Sequence, residues 1–491
     1  MIESRTIKVL ALSLGQTLKA FVSIFFGMIA ARLLTKHDFA TLKQTMLAYN
    51  FVAPILMLGL PNALYFFLPK EKIRKKGVLI DNLLLLFILS IIFSIFLLVG
   101  GHELLSMRFN NPDLNSTLKW MIPYPIFVMP ASILGAVLLT QNKTLTLTLY
   151  NILSSLAITL LATIAILITK SYTGPLLIQI YFPLLLLPII LWLCYKNVPG
   201  DFALPNRKSM IEMLKYSIPL GLASMLGMIM LETNKIVVSF MCTPEQFANY
   251  VNGAIEIPLI GVVTGSISTV ILVDMTKYIH LNNKPEALKL FKKAALKSSA
   301  ILFPVMIFLL TVGREFIVTL FSEKYLESVK PFYVFLFVLP IRIVLYGSAL
   351  MALNKPKVIL YRSAFDLLIN TLLSIILIKL LGYLGAAIAT ILTLYLWTVP
   401  YNLYKIAQGF EVNSLDTLPF KKIGNIFFIC IIFAPFSLLH LFLSISAPLK
   451  LILAAILYFP LVLYTLFKYN YIEIPNTILN FIYSLNYFRF K

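Results

Sequence analysis

Apolar segments, each about as long as a membrane-spanning helix, recur along the whole chain between short polar loops. A helix rises about 1.5 Å per residue, so about 20 apolar residues cross a hydrocarbon core of about 30 Å. The pattern therefore predicts an all-α integral membrane protein with about fourteen transmembrane helices. We place them near residues 9–31, 42–67, 79–100, 118–140, 145–169, 173–195, 214–240, 247–273, 298–321, 331–353, 358–379, 383–406, 424–444 and 449–468.

Three short motifs recur in the same order, roughly 210 residues apart, which is the signature of an internal repeat. The pairs are Thr35–Ala40 with Thr243–Ala248, Val99–Glu103 with Val312–Glu315, and Pro130–Lys143 with Pro340–Lys355. The repeat predicts two six-helix lobes of the same topology, at residues 1–200 and 201–410. A pseudo-two-fold axis along the membrane normal relates them, and residues 411–491 add two helices. In the second lobe, Pro285 begins a basic amphipathic segment that predicts a separate interfacial helix.

Basic residues interrupt several of the apolar segments. A cation in hydrocarbon costs about 2.5–3.5 kcal/mol on insertion scales, so it usually faces protein or water and marks a site. Lys19 and Arg342 lie deepest and have no acidic residue within one helical turn. The pattern predicts an internal cavity that holds an anion. Its candidate residues are Lys19, Lys43, Lys235, Arg342 and Arg362.

Local ion pairs are the alternative for some of these cations. Arg362 and Asp366 are four residues apart, and Glu232 and Lys235 are three apart, so each pair can meet on one helix face. Lys43, Lys235 and Arg362 also lie near predicted helix ends, from which long side chains can reach the interface.

Neutral and acidic residues share helical faces with these cations. Their spacing of three and four predicts polar stripes that face protein or water rather than lipid. We expect the neutral members to bind hydroxyl groups and the acids to balance charge or exchange protons. The neutral members are Gln16, Asn249, Asn252 and Asn370, and the acids are Glu232, Glu256 and Asp366.

The net charge of +21 raises the possibility of a nucleic-acid partner. The basic residues, however, concentrate in alternate loops, including the clusters Lys70–Lys76 and Lys289–Lys297. This is the positive-inside pattern, which places both termini in the cytoplasm and predicts contact with anionic lipids, with no nucleic acid. The sequence shows no nucleophile elbow, P-loop or metal-ligand spacing, so we expect neither an enzyme nor a cofactor or metal.

Three motifs carry a resemblance to a known superfamily. They are Ala30–Thr35 with Asp38 and Phe39, then Gly59–Ala63, and then Asn354–Pro356. With these motifs, the whole chain resembles the multidrug/oligosaccharidyl-lipid/polysaccharide exporters. It is most similar to the polysaccharide branch, the bacterial flippases of O-antigen-type lipid-linked oligosaccharides. Ala40 stands where that branch usually has Gly.

The resemblance implies a flippase in the bacterial inner membrane that moves an undecaprenyl-pyrophosphate-linked glycan by alternating access. It also implies glycan polymerase and chain-length proteins as possible partners. A multidrug cation antiporter of the same superfamily is an alternative, but it would need an acid in the first span, where Lys19 stands. A membrane-embedded glycan polymerase or ligase is a second alternative, but it would need a large outer loop.

Overall fold

The structure is a computed structural model in which the described residues form an almost entirely helical protein without β-strands. Nine of its helical stretches are long and apolar enough to cross a membrane, or eleven if each of two bent helix pairs is one span. The predicted all-α membrane fold is thus confirmed, and the count of fourteen helices stays a prediction. The description covers residues 5–472 except 256–259, 261–263, 265–266, 268–270, 273, 280 and 345.

The α-helices of the described residues are numbered here in chain order. They are α1 (Arg5–Leu33), α2 (Lys36–Met57), α3 (Leu60–Lys70), α4 (Lys75–Phe96), α5 (His102–Arg108), α6 (Leu114–Trp120), α7 (Tyr124–Ala131), α8 (Leu134–Thr140), α9 (Thr144–Thr169), α10 (Thr173–Asn197), α11 (Arg207–Met241), α12 (Pro244–Gly253), α13 (Lys284–Phe321), α14 (Val329–Leu336), α15 (Leu339–Arg342), α16 (Tyr346–Ala352), α17 (Pro356–Leu381), α18 (Leu384–Thr393), α19 (Val399–Phe410), α20 (Phe420–Leu438) and α21 (Ala447–Lys468). Two π-helical turns (Leu97–Gly101 and Leu394–Thr398) and three 3₁₀ turns (Glu323–Ser328, Ser414–Asp416 and Leu439–Phe442) adjoin them.

The chain groups into two compact units. The first contains residues 1–252 and 363–390, and the second contains residues 253–362 and 391–491. In the first unit, α1 packs along α9, α9 packs on α10, and α2 packs along α11. The predicted division at residues 1–200, 201–410 and 411–491 stays a prediction.

Several predicted spans are broken helices. The span predicted at 42–67 is two helices, α2 and α3, bent by 40°. Leu58 and Gly59 at the break have left-handed backbones, with φ of 48° and 72°. Pro61 then sits in the first turn of α3, where its missing N–H leaves no helix hydrogen bond unmade. A mean hydropathy pattern cannot show such a break, because both helices are apolar.

The repeated motifs have counterparts in backbone geometry. Asn142 and Asn354 both have φ of 57°. In both turns the following lysine N–H donates to a carbonyl five residues back at 2.8 Å, and a helix of 26 residues follows. A second pair of motifs contains the helix breaks at Val99 and Val312, where the backbone leaves helical geometry. The sequence repeat thus specifies the same local turns twice.

The sequence predicted a separate interfacial helix in the basic segment that begins at Pro285, and this prediction is wrong. The segment forms the start of α13, which continues for 38 residues to Phe321. Ala287, Phe291 and Ala295 on its apolar face are buried within the second unit. The segment continues into α13 because no helix-breaking residue interrupts the sequence before Pro304. Its apolar face packs against protein, whereas an interfacial helix would place that face against lipid.

A buried ion pair fixes the start of α4. Arg74 donates from Nη1 and Nη2 to the two carboxylate oxygens of Asp81, at 2.7 and 3.2 Å, and Asp81 is fully buried. Asn206 N–H donates to the same carboxylate at 2.8 Å, and the Arg74 guanidinium also donates to the carbonyl of Leu204. The hydrogen bonds that the Arg74 guanidinium donates to the Asp81 carboxylate raise the pKa of Arg74. This cluster ties the loop before α11 to the loop before α4.

Candidate functional site

The first unit contains an open cavity of about 690 Å³. Its lining residues come from α1, α2, α7, α9, α10, α11 and α12. A volume of several hundred Å³ with convergent polar groups is typical of a small-molecule site. The cavity is therefore the candidate ligand-binding site of the first unit.

Three of the five predicted intramembrane cations converge on this cavity. They are Lys19 from α1, Lys43 from α2 and Lys235 from α11. Lys43 is half-buried, and its Nζ lies 5.5 Å from the centroid of the Phe39 ring. Residues from three separate helices thus give one cavity its positive charge, as the sequence analysis expected of an anion site.

One carboxylate accompanies the lysines. Glu232 accepts a hydrogen bond from Lys235 Nζ at 2.9 Å, so the local pair that the spacing suggested is formed. Among the described residues, neither Lys19 nor Lys43 forms an ion pair. The cavity therefore keeps an excess of two formal positive charges over the paired Lys235 and Glu232.

A neutral polar wall on α9 was missed by the sequence analysis. Asn151, Ser154, Ser155 and Thr159 all line the cavity from that helix. Their spacing of one, three and four places them on one face of α9, and this stripe is visible in the sequence. Gln179 from α10 adds an amide to the same cavity.

Aromatic residues complete the lining. Tyr124 lines the cavity, and its ring meets that of Tyr49 edge-on, with centroids 4.7 Å apart. Phe26 and Phe247, both buried, also contribute. Amides, hydroxyls and aromatic faces beside cations suit a ligand that is anionic at one end and rich in hydroxyl groups at the other.

The predicted neutral residues lie elsewhere. Asn249 and Asn252 on α12 are buried and are not among the lining residues. Asn370 is also buried, and its carbonyl oxygen accepts a hydrogen bond from Ser374 Oγ at 3.4 Å. The same hydroxyl proton is shared with Asn234 Oδ1, which lies closer at 3.0 Å, and the Asn234 amide donates to Thr390 at 2.6 Å. This network joins α11 to α17 and α18, so Asn370 has a packing role in this conformation. The side chain of Gln16 lies outside the described residues.

The remaining predicted site residues are separate from this lining. Arg342 and Arg362 are half-buried and belong to the second unit, and neither lines the cavity. Asp366 is fully buried in the first unit and does not line it either. Glu256 lies outside the described residues. The roles expected for these four residues stay predictions.

No group of three or more His, Cys, Asp or Glu side chains arranged to hold a metal occurs within the described part of the chain. The three cysteines, Cys194, Cys242 and Cys430, are buried and unpaired. Burial raises the free energy needed to form the reactive thiolate, so these cysteines are suited to packing rather than to reaction.

Comparison with known proteins gives a family match and several fold matches. The sequence profile described as "Polysaccharide biosynthesis protein" matches residues 6–272. No curated protein matches the chain at a significant level of sequence similarity.

Three solved structures illustrate the fold matches. A lipid II flippase, MurJ, in an inward closed conformation has a TM-score of 0.75 at 16% identity, covering 93% of this chain and 99% of that chain. An outward-facing multidrug resistance MATE family transporter of the MOP superfamily has a TM-score of 0.57 at 14% identity, covering 82% and 96%. A MOP superfamily transporter from Pyrococcus furiosus, whose binding pocket is described as having reverse polarity, has a TM-score of 0.58 at 14% identity, also covering 82% and 96%. At these identities the likeness concerns the fold.

Proposed function

Because the chain belongs to the polysaccharide biosynthesis protein family and has the fold of the MOP superfamily, we propose that it is a flippase for a lipid-linked oligosaccharide. The resemblance seen in the sequence is thereby confirmed at the level of the superfamily and its polysaccharide branch. The family and the matched folds are those of non-catalytic transporters, in agreement with the expectation that the chain is not an enzyme. Within this proposal, the substrate is a glycan joined through pyrophosphate to undecaprenol.

The convergence of Lys19, Lys43 and Lys235 in one cavity is the observation that carries the proposal. A pyrophosphate diester has two negative charges, which match the two-charge excess of the cavity. Charge-assisted hydrogen bonds from ammonium groups to phosphate oxygens are among the strongest in proteins. Lys19 and Lys43 are proposed as the main phosphate ligands, because Lys235 is already bonded to Glu232.

The glycan is assigned to the neutral wall. The amides of Asn151 and Gln179 and the hydroxyls of Ser154 and Thr159 can donate to and accept from sugar hydroxyls. The wall lies on α9 and α10, whereas the lysines lie on α1, α2 and α11. A headgroup held in the cavity would present its phosphates to the lysines and its sugars to the neutral wall.

Translocation by alternating access is the proposed mechanism, with the cavity open to one membrane face at a time. The lipid tail can stay in the bilayer while the headgroup crosses inside the protein. We place the protein in the bacterial inner membrane with both termini in the cytoplasm, following the distribution of basic loops. Glycan polymerase and chain-length proteins are proposed partners, since they would use the translocated oligosaccharide.

Cavity charge argues against the cation antiporter, the main alternative. A cationic drug would meet three lysines and a single carboxylate that is already paired with Lys235. The lysines would repel a cationic drug more strongly in the cavity than in bulk water, because the effective dielectric constant is lower there. The glycan polymerase or ligase alternative has no observation in its favour.

A flipping assay tests the proposed function. Purified protein in liposomes should move a fluorescent undecaprenyl-pyrophosphate oligosaccharide between leaflets, measured by quenching from outside. We expect Lys43→Ala to slow this movement about tenfold, as removal of a charge-assisted hydrogen bond typically costs 1.5–3 kcal/mol. Lys421→Ala, at an exposed residue of α20, is the matched control and should keep wild-type rates. Wild-type protein that moves the lipid no faster than empty liposomes would contradict the proposal.

A further inference from the structure

His37, in the first turn of α2, lies between two carboxylates from other parts of the first unit. Its Nε2 is 3.0 Å from Asp113 Oδ2, and its Nδ1 is 3.4 Å from Glu245 Oε1. Asp113 precedes α6, and Glu245 lies in the first turn of α12. The exposed fractions of the side chains are 37% for His37, 42% for Asp113 and 48% for Glu245, so water reaches them. This cluster is separate from the lysine cavity.

The geometry of the ring fixes a proton. A neutral imidazole has one N–H and one lone pair, so it can satisfy only one of two carboxylates, and the lone pair would face the other. The doubly protonated ring donates to both. The closed cluster therefore holds one proton more than the separated groups. Above the usual pH range of histidine titration, those separated groups are a neutral imidazole and two carboxylates.

His37 and Glu245 are equivalent positions of the internal repeat. They occupy the third place of Thr35–Ala40 and of Thr243–Ala248, and they are 208 residues apart. Both motifs use the first threonine as a helix cap, with its Oγ1 accepting from the N–H three residues later. Under the two-fold relation that the sequence repeat predicts, two equivalent residues that touch lie about the axis, as in any isologous contact. The contact thus joins the two copies of the motif, both of which lie in the first unit.

Further contacts across the same boundary accompany it. Gln44 Nε2 donates to Ser239 Oγ at 2.8 Å, and Asn110 Nδ2 donates to the carbonyl of Phe240 at 3.0 Å. The rings of Phe109 and Phe240 pack with centroids 5.2 Å apart. These neutral contacts close the boundary but do not respond to pH.

The closed boundary borders the lysine cavity. Lys43, which lines the cavity, lies six residues after His37 on α2, and Phe247, another lining residue, lies two residues after Glu245 on α12. Opening of the cavity at this end would therefore separate His37 from Glu245. A state open at this end would remove Glu245 from the imidazole, so the doubly protonated ring would lose one of its two carboxylate acceptors.

Other ionisable groups also lie near the cluster in the described part of the chain. Lys36 and Asp38 adjoin His37 on α2. Tyr172, in the turn before α10, interacts electrostatically with Asp113 and Asp38. Burial tends to raise the pKa of Glu245, but its own backbone N–H, Thr243 and His37 together lower it. The carboxylate that faces His37 is thus held in its charged form, ready to accept from the imidazolium.

We propose that His37, Asp113 and Glu245 form a proton-binding site that holds this end of the cavity closed, and that the proton leaves when this end opens. Because the closed form binds a proton that the open form does not, acid favours the closed form, and this preference is lost as the pH rises. In the topology predicted above, the cluster follows the first span and faces the outside. External acid would then favour the closed form, and external neutral pH would favour opening. The site takes and returns its proton on the same face, so it sets the pH response and draws no energy from a gradient.

Distance measurement across the boundary tests this site without any lipid-linked substrate. Spin labels at Ser116→Cys and Gln246→Cys, both exposed positions on opposite sides, report closure by double electron–electron resonance in phospholipid nanodiscs. The native cysteines are buried, and an unlabelled-site control corrects for them. Between about pH 5.5 and about pH 8, we expect the ratio of closed to open populations to fall about fivefold, as two half-exposed ion pairs permit.

Two matched variants separate the proton from packing. His37→Arg keeps a permanent cation and should stay closed at both pH values, whereas His37→Gln should show a smaller closed population that does not change with pH. Glu245→Gln should reduce the pH response. A wild-type ratio that does not change with pH, or an equal pH response in His37→Gln, would overturn the proposal. Both His37 variants should elute as single species, and the neutral contacts of Gln44 and Asn110 are expected to maintain the fold in each.

Discussion

Lys235 differs from the other two lysines of the cavity because its ammonium group is already bonded to Glu232 at 2.9 Å. The carboxylate lowers the charge available to a ligand and competes with it for the same donor. Lys19 and Lys43 have no such competitor among the described residues. The three lysines should therefore contribute unequally to anion binding, and Glu232 should lower the affinity of the cavity for the anion.

Neutralising the acid tests this inequality. Glu232→Gln should tighten binding of undecaprenyl pyrophosphate about threefold, since it frees Lys235 and removes a like charge worth about 0.5–1 kcal/mol at partial exposure. Lys235→Ala should weaken the same affinity. Binding is measured directly, so a transport defect from another role of Glu232 does not enter. Weaker binding by Glu232→Gln would show that the carboxylate supports the ligand.

Sequence reasoning found the cavity cations and missed its neutral wall for one physical reason. A lysine inside an apolar span costs so much that it signals a site by itself. A serine or threonine does not, because its hydroxyl can donate to a carbonyl of its own helix. Ser155 does this to Ile152 at 3.0 Å, and Ser154 contacts the Asn151 carbonyl at 3.4 Å. Such residues are as common in packing faces as in binding walls, so only the cavity itself identifies them.

At the scale of elements, the helix breaks were the least predictable part of the fold. The apolar pattern located most spans, and α9 and α10 agree with the predicted 145–169 and 173–195 within a few residues. It could not show the bend between α2 and α3, nor the continuation of the basic Pro285 segment into α13. Both depend on packing inside a unit, which hydropathy does not report. Similarly, only the structure reveals that Arg74 meets Asp81.

The Arg74–Asp81 pair predicts a stability effect. Arg74→Ala should lower the free energy of unfolding by about 3 kcal/mol, because it leaves the buried Asp81 carboxylate without its cation. Reversible denaturation in mixed detergent micelles measures this loss. The double variant Arg74→Ala/Asp81→Asn should recover much of it, since no charge then stays buried. A loss as large in the double variant would mean that packing of the arginine side chain, rather than its charge, matters.

At the scale of the whole molecule, orientation in the membrane follows from the basic loops. Reporter fusions after Lys76 and Lys297 should indicate the cytoplasm, and fusions near Asn115 and Glu327 the periplasm, because loops rich in Lys and Arg resist translocation. The same result would place His37 on the outer face. A periplasmic signal at Lys76 would reverse the topology and with it the side on which the proton site acts.

The whole account depends on one claim, that the lysine cavity of the first unit holds the anionic headgroup. The most direct measurement is the affinity of purified protein for undecaprenyl pyrophosphate, compared with undecaprenol, in wild type, Lys19→Ala/Lys43→Ala and the control Lys421→Ala. We predict that the double variant loses about a hundredfold in affinity for the pyrophosphate, from two charge-assisted hydrogen bonds, and nothing for undecaprenol. The control should equal wild type. Unchanged affinity for the pyrophosphate in the double variant would contradict the assignment of this cavity as the headgroup site.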